Sequence, residues 1–490
     1  MQIFTVVFLA CWLLLAGSAD AHAGPLVGLV AAVGSLFSSL GVIGQLVLGM
    51  VVKLGVGLLQ KALAKKQDRQ EPGVKGQISI GGDEPQSFIM GNFGTPGHLE
   101  YAGTWGSAGD TPNAYLVHVI SLADLPMKLT GLWVNDKKVT LPDMTAPMPS
   151  PHGWNIPEYM HGGAARLYVQ YFDGTQTEPS PYLINAFGSD PSLPWMSDQI
   201  GHGVPYAILV ARVTPELYSG FPQYFFETSG VNLYDISKDT SAGGFGAHRW
   251  GDPATWQPSN NPIVQSYNLI RGVYFNGEWV YGGQTTKAYQ LPASNWIAGI
   301  NAANQATALS GGGTQPRYRS GCEINVDQEP LGVIENLLKG ASARLAEIGG
   351  SYKVLAGVPG APVYSFTDET IIITEGQSFD PFPGLEQTFN GAQASYPEPG
   401  EKWQPKDAPA YYRADLEILD DNRRLATGLA FATVPYPVQV QMLLKEAVDD
   451  ARRFRVHQFC LPPEAWVLEP NDIVAWTSAR NGYTNKKFII

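Results

Sequence analysis

Glycine and proline interrupt this chain too often for many long regular segments. It holds 54 glycines and 37 prolines in 490 residues, and only 16% of its residues are charged. That combination predicts many short strands and turns with little disorder. The length calls for several domains or one multilayered body. The net charge of −12 argues against a surface that coats nucleic acid, though an acidic lining would let DNA pass without sticking. The three cysteines, Cys11, Cys322 and Cys460, fit no zinc spacing and cannot build a disulfide framework, so synthesis in the cytosol is expected.

The N-terminus is the exception to this punctuation. Residues 1–52 carry one charge, Asp20. Ile3–Leu15 is nearly continuous apolar sequence, followed by small residues as in a secretion signal, yet no lysine or arginine precedes it. Pro25–Val52 is a second uncharged run, 28 residues long, enough to cross a bilayer as a helix. Gly28, Ala32, Gly34, Ser38 and Gly41 give it small residues along which helices can approach. Three readings stay open: a secretion signal with a membrane anchor, a buried helical plug near the axis of an oligomer, or a segment that enters a host membrane.

Residues 75–239 read as β-rich. Gln77–Ile80, Ala114–Ser121, Met127–Val134, Arg166–Phe172 and Ala207–Val213 are short apolar or alternating runs between turn residues. Gly131–Val139 has the form of a hairpin, and the set suits a barrel or sandwich. Residues 240–261, rich in glycine, aspartate and proline, read as a linker. Helices are expected over Pro262–Tyr274 and Asn295–Gln305.

The stretch Tyr318–Leu355 predicts strand, turn, amphipathic helix, turn and strand. Pro330 suits a first helical position and Asp327 a cap. Leu331, Ile334, Leu338, Ala341 and Leu345 recur at helical spacing, and Gly349-Gly350 reads as the stop. Pro437–Val456 is a second amphipathic helix. Val440, Leu444, Ala447, Val448, Ala451 and Phe454 form its apolar face, with Gln439, Glu446 and Asp449 on the polar one and an Asp449–Arg453 pair. The chain then predicts strands at Val456–Cys460 and Ile473–Thr477, a turn at Asn481-Gly482 and a returning strand at Lys487–Ile490.

No phosphate loop, metalloprotease, serine-nucleophile or paired-cysteine motif occurs in the sequence. His152, Glu158 and His161 match no zinc spacing, and Gly311–Gly313 lacks the flanking strand of a phosphate loop. No catalytic, cofactor-binding or metal-binding residue is therefore assigned, and no cofactor is expected.

Three blocks resemble the lambda-like tail-tip hub, or tip attachment, proteins of phages. One is Glu329-Pro330-Leu331 through Ala343-Arg344-Leu345 to Gly349-Gly350-Ser351-Tyr352-Lys353-Val354. The second is Phe389-Asn390-Gly391-Ala392 followed by Tyr396–Trp403 and Gln404-Pro405. The third joins the helix from Pro437 to the turn Leu468–Val474. Their order and spacing agree with the family over residues 261–490 and less closely over 75–260. The family's cysteine after its second helix is absent here, and any role for it does not carry over.

The resemblance implies an α+β, β-rich, multidomain baseplate-hub architecture. Its parts are a hydrophobic helical N-terminal segment (1–74), β-rich hub domains of small barrels or sandwiches (75–239), the linker (240–261), an α+β hub domain (262–365) and a C-terminal α+β or barrel domain (366–490). Leu331, Ile334, Leu338, Leu345, Leu444, Ala447, Val448 and Ala451 would form the hub-core helices. It also implies a non-enzymatic homotrimer at the virion tail tip, assembled in the host cytoplasm. The implied partners are a distal tail ring protein, the C-terminus of a tape-measure protein, tail fibres or adhesins, transiently a host membrane, and DNA in passage. The rival from another class is an exported, membrane-anchored hydrolase of cell-wall glycan.

Overall fold

The structure, a computed structural model, describes residues 79–80, 85–212, 214, 222–357, 360–382, 384 and 388–490. The N-terminal small-residue set Gly28, Ala32, Gly34, Ser38 and Gly41 lies outside the described residues. Among the described residues, no helix is long and apolar enough to cross a membrane.

Two sheets face one another as a sandwich. One has six strands in the order Ser79–Ile80, His98–Ala108, Thr111–Ser121, Tyr206–Ala211, Leu167–Phe172, Trp154–Asn155. The other runs Gln257–Pro258, Tyr224–Leu233, Met127–Val134, Lys137–Val139, with Phe93–Thr95 also paired to Tyr224–Leu233. The expected strands are thus present, within a few residues of their predicted ends. They form open sheets, and the described residues close no barrel. Asn135 and Asp136, at φ 48° and 65°, make the tight turn that joins Met127–Val134 to Lys137–Val139.

Tyr206–Ala211 is buried at all six positions because both of its faces are covered. Ala207, Leu209 and Ala211 meet Leu132, Val134 and Phe226 of the facing sheet. Tyr206, Ile208 and Val210 meet helix α1 (Pro181–Phe187) through Leu183 and Phe187.

Helices α2 (Pro262–Arg271) and α3 (Ala293–Asn304) build a second, larger core. Asn261 caps α2, accepting the amides of Ile263 and Val264 at 2.9 and 3.3 Å. Every α2 residue but Arg271 is buried. Residues 240–261 do more than link. They form short 3₁₀ turns, and Trp250 and Trp256 pack on Tyr234 at the edge of this core.

Helix α4 spans Pro330–Lys339 and buries Val333, Ile334, Leu337 and Leu338. It is shorter than the periodicity suggests. Glu329 occupies the cap position without a side-chain cap bond, so Asp327 does not cap it. Leu331, in the first turn, is 53% exposed and leaves the core. Leu345 lies in a strand, Arg344–Ile348, paired with Ser351–Leu355. Gly349 and Gly350, at φ 57° and 80°, are therefore the turn of this hairpin, and the helix ends earlier, at Gly340.

Helix α5 (Ala414–Leu419) is short. Helix α6 spans Pro437–Ala451 and packs on a three-stranded sheet of Gln404–Tyr412, Gly391–Glu398 and Ala426–Ala430. Val440, Leu443, Leu444 and Val448 are buried, while Ala447 and Ala451 are half-buried. Phe454 lies beyond the helix end. Asp449 pairs with Lys445 and Arg413, and Arg453 with Asp450, in place of the expected Asp449–Arg453 pair. The chain finishes in a sheet of Tyr364–Thr367, Ile473–Ser478 and Tyr483–Ile489 around Phe366, Trp476 and Tyr483.

Sequence-distant segments are interleaved. Ser87–Met90 pairs antiparallel with Cys322–Asn325, joining the sandwich to the helical core.

Candidate functional site

Buried ties converge where α4, α6 and the sandwich meet. The three-stranded sheet turns at Pro399–Lys402, and both Lys402 (φ 56°) and Trp403 (φ 54°) are left-handed. That strained corner drives the Trp403 indole into the sandwich core, where it lies 6.0 Å from Phe225 and 6.0 Å from Phe93. A Cβ at Gly94 would stand 2.5 Å from both Trp403 and Phe225, so glycine alone leaves room for this peg. Lys402 pairs with Asp136 of the sandwich hairpin at its rim.

Gln439 on α6 is fully buried. Its Oε1 accepts the Arg319 amide at 2.8 Å, and its Nε2 donates to the carbonyls of Arg319 and Gly340, both at 2.9 Å. It therefore ties α6, the end of α4 and the strand approach to one another. About two turns further, Glu446 accepts from Tyr318 Oη at 2.9 Å and from Arg317 at 3.0 Å. Burial, then the Glu446 charge, pushes the Tyr318 phenol up to about 12, so it stays a donor at neutral pH. The Arg319 guanidinium lies 3.9 Å from the Tyr436 ring. Ile334, Leu338, Leu444 and Val448 belong to the core beneath this network. Sequence periodicity assigned Gln439 and Glu446 to the solvent face, and no local signal distinguishes them from the exposed glutamines.

Two cavities open on the described surface. One cavity of about 370 Å³ is lined by Glu100, Tyr101, Ser121, Asp124 and Trp195. Burial raises the Asp124 carboxyl above its ordinary range, opposed by the Ser87 amide that it accepts at 2.8 Å. A second, of about 390 Å³, is lined by Tyr234, Asp239, Arg249, Trp250 and Arg271. Burial pushes Asp239 up, but bonds from Ser241 and Tyr234 and the Arg249 charge outweigh it and hold the carboxyl low. Neither lining holds a histidine or a cysteine. Among the described residues no group of three metal-ligating side chains forms. His152 packs among Tyr115, Tyr168 and Tyr182, Glu158 accepts from Thr140, and His161 is exposed, so the three are not gathered. Gly311–Gly313 is the exposed turn between Ala306–Ala308 and Thr314–Pro316.

Residues 329–486 match the model of a family described as "Putative phage tail protein". Over 164 residues, 33% of this chain, the sequence is 23% identical to "Baseplate hub protein pb3" of Escherichia phage T5. The matched part spans 17% of that relative's length. The fold is similar to a chain from the virion of a native gene transfer agent particle, with a TM-score of 0.51 and 14% identity, covering 96% of this chain and 93% of that one. A 43 kDa tail protein of prophage MuSo2 from Shewanella oneidensis aligns at 8% identity with a TM-score of 0.27, covering 83% of this chain and 92% of that one.

Proposed function

We propose, for this relative of the structural proteins of phage tails and baseplates, the role of tail-tip (baseplate) hub in a long-tailed phage or phage-like particle. One observation carries the reading. The family match starts at Glu329, beside α4, and runs through Trp403, Gln439 and the C-terminal sheet, so it covers three of the elements that meet at the junction. In this role the protein acts mechanically. A homotrimer closes the tail tube, receives the distal tail ring and the end of the tape-measure protein, and carries fibres or adhesins. Host contact then moves its parts as rigid bodies and opens the path for DNA. The Trp403 peg and the Gln439 clasp support such rigid-body motion, since they leave few internal joints. Gly28, Ala32, Gly34, Ser38 and Gly41 would pack three N-terminal segments about the axis as a plug, or span the host membrane after release.

Native mass measurement of the assembled protein tests the reading and should give three copies. A monomer or dimer overturns the trimer. Antibody labelling of particles should mark the tail tip, and label confined to the head or the tail shaft overturns the hub.

The rival glycan hydrolase has one observation in its favour, the cavity shared by Glu100 and the raised Asp124. Turnover of peptidoglycan that disappears in Asp124→Asn would replace the hub with the enzyme.

A further inference from the structure

Beside the C-terminal sheet two cations gather on one of its rings. Arg455 and Lys486 both approach the Tyr483 ring, at 5.5 and 4.5 Å from its centroid. His457 joins them, with Nε2 3.1 Å from Tyr483 Oη and its ring edge-on to Phe488 at 5.5 Å. Among the described residues neither Arg455 nor Lys486 pairs with a carboxylate, although the chain as a whole carries a net charge of −12. Burial, then the Lys486 and Arg455 charges, push the His457 imidazole below its ordinary value. Burial and Arg455 do the same to Lys486. The groups therefore repel one another.

Two carboxylates lie on the adjoining segments. Asp380 faces Val456 in the short ladder Ser378–Asp380 with Val456–Gln458, one residue out of phase with the stacked Phe379–His457 pair. Asp368 accepts from Trp476 Nε1 at 3.1 Å and is not among the charges acting on His457.

Arg455 is also held at φ 83°, a backbone state that costs a non-glycine residue energy and persists where the surroundings impose it. Two cations held over aromatic faces, with no carboxylate paired to them among the described residues, keep their charge available to an anion.

We propose that Arg455, Lys486 and His457, with the Tyr483 hydroxyl, form a binding site for a phosphate-type oxyanion. Arginine and lysine supply charge-assisted donors, and the neutral imidazole adds an uncharged N–H. The setting points to the carrier of that phosphate. Phe379, stacked on His457 at 4.4 Å, is 49% exposed, and the neighbouring Phe382 and Val456 are 70% and 68% exposed. An apolar collar around an anion site matches the headgroup region of an anionic lipid better than free phosphate. The site stands apart from the hub reading and does not depend on trimer formation.

The test uses the full chain, the double variant Arg455→Gln/Lys486→Gln and a control, Lys445→Gln, which alters an exposed helix pair. Calorimetric titration with inorganic phosphate and flotation with phosphatidylglycerol vesicles, against phosphatidylcholine vesicles, are run on all three. Wild type and control should bind, and the double variant should lose about tenfold or more in affinity. Binding of both ligands assigns a general phosphate site. Binding of the anionic vesicles alone assigns a lipid headgroup, and binding of phosphate alone assigns a soluble phosphate ligand. The double variant should melt no lower than wild type, since two like charges have been relieved. Equal affinity in the double variant, or no binding of either ligand by wild type, overturns the site.

Discussion

The sandwich and the C-terminal lobe, the described part of residues 360–490, bury their apolar residues to different degrees. In the sandwich, Tyr206–Ala211 is covered on both faces, and exposed apolar residues such as Met148, Leu193 and Met196 sit in the long connections. In the lobe, Ile373 and Trp466 are 82% and 84% exposed, and Phe379 and Phe382 are 49% and 70% exposed. Ion pairs divide the same way. The sandwich has Lys138–Glu227, whereas the region from Arg317 to Arg453 is laced by pairs such as Arg452–Asp420 and Arg413–Asp449. The sandwich core is closed, with Trp403 of the three-stranded sheet completing it. The lobe keeps surface whose burial awaits something else, as contact regions do.

The largest break in this comparison comes from Trp403→Ala. Removing the indole empties part of the sandwich core from the far side, at a cost of about 3–5 kcal/mol. Two unfolding transitions should replace one, with the sandwich melting first. A single unshifted transition would show that the peg ties nothing. Next comes Gln439→Ala, which strands the Arg319 amide and two carbonyls and should cost about 1–3 kcal/mol. Urea unfolding reads it, and a loss below a few tenths would mean that water replaces the amide.

Acid should weaken the fold by a direction that can be worked out. Burial holds His118, His152 and His248 below the ordinary imidazole value. The unfolded chain then takes up protons first, so stability is full above about pH 6.5 and is lost as pH falls below it. The urea midpoint should drop between about pH 7.5 and about pH 5.5. In Arg455→Gln/Lys486→Gln the His457 share of that drop should shrink, because two charges that oppose its protonation are gone; an unchanged profile would separate His457 from them. The smallest effect is expected from Arg455→Gly, which relieves the left-handed backbone and raises stability by up to about 1 kcal/mol while removing a cation.

Local chemistry made parts of the fold legible. Asn135-Asp136 tolerates the positive φ of a tight hairpin, and prolines at 262, 330 and 437 mark helix starts that the structure keeps. The failures share a cause. The helical spacing that reaches Leu345 runs through Gly340, where a Cβ would come 2.7 Å from Val434 Cγ2, a contact made only in the assembled core. The pairing of Arg344–Ile348 with Ser351–Leu355 makes that stretch a strand. Gln439 and Trp403 were unreadable as junction residues because their partners lie far off in sequence, at Arg319 and Phe93. Asp449 prefers Arg413 and Lys445 to Arg453 for the same reason: α6 ends before Arg453 can reach it.

The ladder between Ser87–Met90 and Cys322–Asn325 has a consequence in time. Ser87 and Glu323 are 236 positions apart, and synthesis at about 5–20 residues per second needs roughly 12–47 s to bring them together. Until then the nascent sandwich presents an unpaired strand, Phe88-Ile89-Met90, whose side chains are fully buried in the finished protein. Slow ribosomes should therefore lower the soluble yield, and a holdase chaperone should restore it. A chain released before residue 322 should be digested in pulse proteolysis at the rate of an unfolded polypeptide, however complete the rest of its sandwich sequence.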